Sequence, residues 1–501
     1  MKISLIAMLL LAATSAFAQQ YQWAHSLMQP PASRTTAVVA TGDGGSVATG
    51  ARKHGISSLF AQYPCGDLFV TKSDSAGNAL WSVVFTGNAC ILDAAADHNG
   101  NVVIIGGFFD SLRMGSQFFN GPAFSTTAFL AKIDPSGNVV WAMSEGGEEN
   151  KCGISLAIGA DNSIYTTSFD NDIRAAISKY RDAGTKQWQK AIDEVRSFDD
   201  IAVDESGNIF VSGTCTPYAV FDTIAVPAAS GISGYVTFVA SFTPDLKARW
   251  LRSEKYITFG IANTLSYSSF GLLRYRYTFE VNDKSLELIN AGTGELTYQH
   301  SIAIPQPGFD QYLNNTLAWN PNGLEFYLGD SWHDTMTIYK GHIFITQNGP
   351  LLAFNALNTI ITHTPIVEGI AANTSSLFVA GSYIDASLSL PPFTVTNPNN
   401  AAGFENDLFL TKIDPRSGPL SVSTTPAVTE GLSVYPNPSS DHIIISSSYA
   451  AARYHIYSGI GACASTGIVG DRISIEGLAP GMYRLIIDLN GKQYYSSFIK
   501  Q

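Results

Sequence analysis

The residues able to do chemistry are few and scattered. Trp332-His333-Asp334, with His342 and His363, is the densest titratable group of the mature chain. A metal or acid–base role would require these side chains to converge in space, and their simplest reading is as ordinary surface loops. Glu145, Glu148 and Glu149 form the acidic stretch EGGEEN. A solvated loop is its first reading, and calcium binding, which gathers six or more oxygens, is its second. The five cysteines, Cys65, Cys90, Cys152, Cys215 and Cys463, leave at least one thiol unpaired. No CxxC occurs to indicate a zinc knuckle or a redox motif. Cys65 and Cys90 could pair within one repeat unit, which the sequence leaves open. Neither HExxH, GxSxG, a P-loop nor a dinucleotide fingerprint is present. No catalytic, cofactor-binding or metal-binding residues are therefore assigned, and no cofactor is expected.

The formal net charge of −12, from 29 basic and 41 acidic residues, is spread along the chain. No basic stripe could track phosphates, which argues against nucleic acid as a partner. At the N-terminus, Lys2 precedes an apolar run, Ile3 to Ala13, too short to cross a bilayer. Ala16-Phe17-Ala18 has the small-x-small pattern of a signal-peptidase site, so residues 1–18 read as a signal peptide with Gln19 as the first mature residue. No other segment is long and apolar enough for a transmembrane helix, and the protein is expected to be exported.

Only 14% of residues are charged against 45% apolar. Gly, Ser, Thr, Asn, Tyr and Phe are plentiful, a balance that suits short strands and tight turns. Two hairpin types alternate. One is a strand, an Asp/Gly turn and a strand bearing Trp, as in Asp67–Phe85, Ala128–Ser144, Ala175–Ile192 and Thr237–Ser253. The other joins small-residue strands through an Asx/Gly turn, as in AADHNGNVVIIGG, AVDESGNIFVSG and AANTSSLFVAG. One hairpin of each type makes a four-stranded sheet, which must stack on its neighbours to bury both faces. The pairs fall near 35–85, 91–144, 152–192, 198–253, 257–303, 315–358 and 367–417. The expectation is an all-β fold with a seven-bladed propeller over residues 19–418. The last unit lacks its Trp strand, and Tyr21-Gln22-Trp23-Ala24-His25-Ser26 matches the missing piece. Residues 21–27 are expected to close the ring, which leaves no open seam.

The Asp–Gly–Trp spacing resembles two propeller families, the bacterial β-propeller repeat and the tryptophan-docking repeat of quinoprotein dehydrogenases. The resemblance implies that Trp81, Trp141, Trp188 and Trp250 pack between blades. Asp74, Asp134 and Asp182 are expected to hold their own turns rather than a metal. The quinoprotein pattern of eight blades with adjacent cysteines is not met. A propeller glycosidase would need paired carboxylates on inner strands, and the inner strands here are dominated by Val, Ile, Ala, Gly and Ser.

Residues 419–430 (PLSVSTTPAVTE) suit an extended linker. Beyond it the repeat vanishes, and residues 431–501 read as a small β-sandwich of six or seven short strands. This region resembles the type A sorting domain of type IX secretion cargo. The resemblance is carried by Tyr435-Pro436-Asn437-Pro438, by Leu478, Gly481 and Tyr483 of the L-x-x-G-x-Y segment, and by Lys500. It implies passage through the periplasm, engagement of the type IX translocon by residues 431–501, and release from the cell or attachment to its outer surface. The expected function is a secreted or surface binding and adhesion module whose ligand is a glycan or a protein. The alternative is a secreted hydrolase acting on glycan or peptide.

Overall fold

The computed structural model describes residues 21–414 and 434–501 apart from short internal stretches, the longest being 54–64 and 303–316. The signal segment and the linker lie outside the described residues. The chain divides into two compact units, Met1–Gly341 with Asn355–Ser421, and His342–Phe354 with Val422–Gln501.

Among the described residues from Tyr21 to Ile413 there are strands and no α-helix, and apart from short added hairpins the strands form seven sets of four. The first two sets are continuous because Ala79–Ala96 is both the outer strand of the first and the innermost strand of the second. The third and fourth join through one parallel pair, Arg174 with Val195. The fifth and sixth stand as separate sheets, in the order in which their strands follow in the chain. The innermost strands, Arg34–Ala40, residues 89–96, Lys151–Ile158, Val195–Val203, Ile261–Ser268, Leu317–Trp319 and Ile366–Ala372, each touch the next, and the last returns to the first. That cyclic contact is the signature of a propeller.

The seventh sheet carries the decisive feature. Its strands Ile366–Ala372, Leu377–Tyr383 and Asp407–Ile413 are completed by Tyr21–Ser26, which pairs antiparallel with Asp407–Ile413. The Thr411 hydroxyl donates to the Trp23 carbonyl at 2.7 Å, and the Leu27 amide donates to the Leu408 carbonyl at 2.9 Å. Residues from opposite ends of the ring thus share one sheet, as the matching of Tyr21–Ser26 to the missing strand anticipates.

Hydrophobic residues alternate so that each sheet buries a face against its neighbour. Val103, Ile105 and Leu130 of the second sheet pack on Leu156, Ile164 and Tyr180 of the third. Phe210, Val239 and Trp250 of the fourth pack on Leu265, Leu272 and Ile289 of the fifth. At the seam, Trp23, Phe378 and Leu410 pack on Val38.

The outer-strand tryptophans lock these interfaces in the expected way. Trp23 Nε1 donates to Ser75 O at 3.0 Å, Trp81 to Pro135 O at 2.8 Å, Trp141 to Asp182 O at 3.1 Å and Trp250 to Ala291 O at 3.0 Å. Each acceptor is the second residue of the outer turn of the following sheet. Trp23 therefore makes the same contact from the seventh sheet to the first. The glycine near the end of each turn, Gly77, Gly137, Gly184 or Gly294, has φ between +77° and +89°. A Cβ there would come within 2.6 to 2.9 Å of the indole, so glycine answers both the backbone and the packing demand.

Asp74 and Asp134 hold their own turns. Each Oδ1 accepts the amides two and four residues on, and Oδ2 accepts the Asn78 or Asn138 side-chain amide. Asp182 differs from the expectation. It stands one position later in its turn, where Arg181 occupies the holding position, and its carboxylate pairs with the buried Lys132 instead.

Cys65 and Cys90 form a disulfide, and it ties the residue that leads into the third strand of the first sheet, Gly66–Ser73, to the innermost strand of the second rather than lying within one unit. Cys152 and Cys215 are buried free thiols. The Cys463 side chain lies outside the described residues.

Between the fourth and fifth sheets, Arg274 is fully buried and bonds Glu287 at 3.1 Å and Glu254 at 3.3 Å. Arg252 and Arg276 complete the group. Burial pushes the Glu254 carboxyl up, but Arg274, Arg276 and Arg252 outweigh it and hold the carboxyl below its usual range. Arg274→Ala should cost about 3–5 kcal/mol in urea unfolding, because Glu287 would keep its burial and lose its nearest cation. A cost below about 1 kcal/mol would show the cluster to be as weak as an exposed ion pair.

Candidate functional site

Where catalytic groups of a propeller would meet, on the innermost strands, the structure places carboxylates that the sequence reading passes over. Asp93 sits in the second sheet, Ser155 in the third and Asp200 in the fourth. A register shift directly precedes each of them, between Ile91 and Asp93, Gly153 and Ser155, and Phe198 and Asp200. Such a bulge re-aims the side chain that follows it. Ser155 Oγ lies 2.8 Å from Asp93 Oδ2 and 2.7 Å from Asp200 Oδ1. Asp93 Oδ2 also accepts the Leu156 amide at 2.8 Å, and Asp200 Oδ2 accepts the Leu265 amide at 2.7 Å. One polar row thus stitches four consecutive innermost strands.

Asp200 is half-buried by surface area, yet it is packed densely enough for burial to dominate. Burial, reinforced by the negative charge of Asp93, pushes its carboxyl up to about 7 against the hydrogen bonds from Ser155, Leu265 and Ile201.

The closing seam uses a related device. Glu368, in the bulge of the seventh innermost strand, accepts the Thr35 amide at 3.0 Å and the Ser382 hydroxyl at 3.2 Å. Burial raises its carboxyl to about 7, opposed by Arg34. At Gly369, beside it, a Cβ would meet the Val38 amide nitrogen at 2.8 Å, so the two inner strands approach as closely as backbone allows.

The expectation of inner strands dominated by Val, Ile, Ala, Gly and Ser thus passes over Asp93, Asp200 and Glu368. A signal for them exists: Ala37, Asp93, Ser155, Asp200 and Gly369 all stand four residues before their inner turns at Thr41, Asp97, Gly159, Asp204 and Asn373. Their column of small or acidic residues is visible once the copies are aligned. Chemically, the carboxylate oxygens are engaged by backbone amides and a hydroxyl, which is the environment of a structural stitch.

Of the other candidates, Glu145 accepts the Tyr180 hydroxyl and pairs with Lys186, which makes it a link between the second and third sheets. Glu148, Glu149, His333, Asp334 and His363, and the side chains of Trp332 and His342, lie outside the described residues. So do Ala16, Ala18 and Gln19.

The C-terminal unit pairs a four-stranded sheet, Cys463–Ile468, Arg453–Ser458, Gly481–Leu489 and Lys492–Lys500, with a two-stranded one, His442–Ile443 and Ile473–Ser474. Ile443, Ile456, Ile473, Leu485, Ile487 and Phe498 fill the space between them. The three motifs singled out in the sequence meet at one end of this sandwich. Asn437 Oδ1 accepts the Ile499 amide at 2.9 Å, the Ser439 amide donates to Ile499 O at 2.8 Å, and the Gln501 amide donates to Ser439 O at 2.9 Å. Lys500 in turn pairs with Gly481. Tyr483 stacks on Phe498 and returns its hydroxyl to Ala479 O at 2.8 Å, while Leu478 packs against the core. Tyr435 remains largely exposed. The last strand is thereby held on both sides, by Gly481–Leu489 and by the segment that follows Pro438.

Residues 433–501 match the family described as the secretion system C-terminal sorting domain. This region is such a sorting domain. The sorting domain marks the chain for export by the type IX system, through the periplasm, to a secreted or cell-surface location. No curated protein matches the chain. Among solved structures, the chain is similar to the periplasmic gluconolactonase of Pseudomonas aeruginosa, at 10% identity and TM-score 0.43 over 66% of this chain and 86% of that one. It is also similar to the WD40 domain of Toxoplasma gondii coronin, at 8% and 0.41 over 79% and 87%. A third is the β-propeller domain of Myceliophteria thermophila Cps50 (Swd1), at 8% and 0.41 over 77% and 99%. The propeller assignment rests on the strand topology and the cyclic contacts of the innermost strands.

Proposed function

We propose that the mature protein, from Gln19 onward, is a seven-bladed propeller that the sorting domain delivers to the cell exterior, where it acts as a binding and adhesion module. Residues 1–18 supply the inner-membrane signal, cleaved after Ala18, and residues 419–430 are the linker. Tyr435, Pro436, Asn437, Pro438, Leu478, Gly481, Tyr483 and Lys500 form the determinant read by the type IX translocon.

The observation that carries the binding role is where the blades are elaborated. In an antiparallel four-stranded sheet, the link from second to third strand leaves at the same end as the link to the next sheet. Three of those second-to-third links carry extra hairpins: Gln117–Asn120 paired to the end of Val102–Met114, Val220–Phe221 with Ile224–Ala225, and Ser387–Leu390 with Phe393–Thr396. Each is anchored by buried residues such as Phe221, Leu388 and Leu390, and the first two present Phe118, Tyr218 and Val220 to solvent, Tyr218 with 80% of its surface exposed. Aromatic residues held on rigid hairpins at one end of a ring suit contact with glycan or protein surfaces.

Glycan-array and cell-adhesion binding by the full chain tests this reading. Phe118→Ala with Tyr218→Ala should weaken binding about tenfold or more, as removal of aromatic anchors does. Unchanged binding would dismiss this face, and turnover of polysaccharide or peptide that survives purification would favour the hydrolase.

A further inference from the structure

The row Asp93–Ser155–Asp200 poses a proton-counting problem that its own geometry resolves. Ser155 Oγ has carboxylate oxygens at 2.8 and 2.7 Å on two sides, and a serine hydroxyl carries one hydrogen. That hydrogen can lie along only one of the two contacts. Two oxygens held this close with no hydrogen between them repel, so the second contact needs a hydrogen from the carboxyl group. We propose that Asp93, Ser155 and Asp200 hold one carboxylic-acid proton among them near neutral pH, forming a protonation-dependent clasp across the innermost strands of the second, third and fourth sheets.

The surroundings support this. The charge that bears on Asp200 is that of Asp93, from the second sheet. The third sheet contributes the Ser155 hydroxyl and the fifth the Leu265 amide. On its own strand, the neighbouring Asp199 is occupied with the Ser197 hydroxyl. The raised carboxyl of Asp200 agrees with a proton retained by the pair, which titrates as a unit.

The sign follows from linkage. An aspartate in the unfolded chain loses its proton near 3.9, about three units below the folded pair, so over the interval between them the folded state binds more protons. Folding stability therefore falls as pH rises from about 4 to about 7 and levels above it. Glu368, also raised to about 7, contributes with the same sign. Asp43, lowered to about 2 in spite of its burial by Lys72, Thr41 and the Gly45 amide, acts with the opposite sign and only at more acid pH.

Two measurements on the full chain test the clasp. Difference infrared spectroscopy of the unaltered protein should show protonated carboxyl groups at about pH 6 that ionise through about pH 7. Asp200→Asn should remove one proton from that uptake and flatten the decline of Tm with pH, and Glu368→Gln should remove a separate share. The proposal is overturned if the unaltered protein shows no protonated carboxyl at that pH. It is equally overturned if folded Asp200→Asn keeps the parent's proton uptake and pH slope. Where Asp200→Asn does not fold, the infrared measurement on Glu368→Gln decides the matter, because that variant keeps the row and removes the other carboxyl raised to about 7: loss of the whole protonated-carboxyl signal in it overturns the proposal.

Discussion

A chain whose mature sequence starts after residue 27 should not hold a stable propeller. Tyr21–Ser26 supplies the outer strand of the seventh sheet, and its loss leaves Asp407–Ile413 as an open edge. Trp23, 5% exposed, would no longer cover Gly77 or donate to Ser75 O, and Tyr21, 4% exposed, would leave the core it shares with Val379 and Phe409. Burial of one large aromatic side chain is worth about 3–5 kcal/mol, a substantial part of the ~5–15 kcal/mol that keeps a domain folded. Truncation should therefore abolish cooperative unfolding or yield an aggregating product. The milder Trp23→Ala should lower unfolding free energy by about 3–5 kcal/mol, measured by urea titration. Trp23→Ala within about 0.5 kcal/mol of the parent would mean that the seam is closed by something other than this strand.

The second large effect concerns export. Deleting residues 431–501 should leave the protein in the periplasm with almost none at the surface, measured by fractionation and surface proteolysis. Asn437→Ala should give an intermediate result. It removes the acceptor that fixes the Ile499 amide, a bond worth about 1 kcal/mol, and so loosens the segment after Tyr435 from the last strand without removing any strand. Surface display of the deleted chain at the parent level would refute the sorting role of this domain.

Much of this architecture was legible because the chain repeats its own solution. The Trp-bearing hairpin recurs with a Gly at the position where the preceding indole lands, so Tyr21–Ser26 could be matched to the gap in the last copy. The C-terminal motifs were legible as words, while their convergence was not, since hydrogen bonds such as Asn437 to Ile499 span 62 residues. The inner carboxylates were missed for a physical reason. A reading by alternation places every second residue of a strand on one face, but a bulge before Asp93, Ser155 and Asp200 breaks the alternation. Asp182 was misassigned because it is the second residue of its turn, which starts on Arg181 where the first two copies start on Asp74 and Asp134. The Cys65–Cys90 bridge crosses two sheets because one uninterrupted strand, Ala79–Ala96, serves both.

Amide hydrogen exchange across residues 21–27 of the full-length protein tests the closed ring most directly. If the N-terminal strand completes the seventh sheet, these amides should exchange only when Asp407–Ile413 does, at the rate of opening of the whole propeller. Exchange of residues 21–27 within seconds, while Asp407–Ile413 stays protected, would contradict the account.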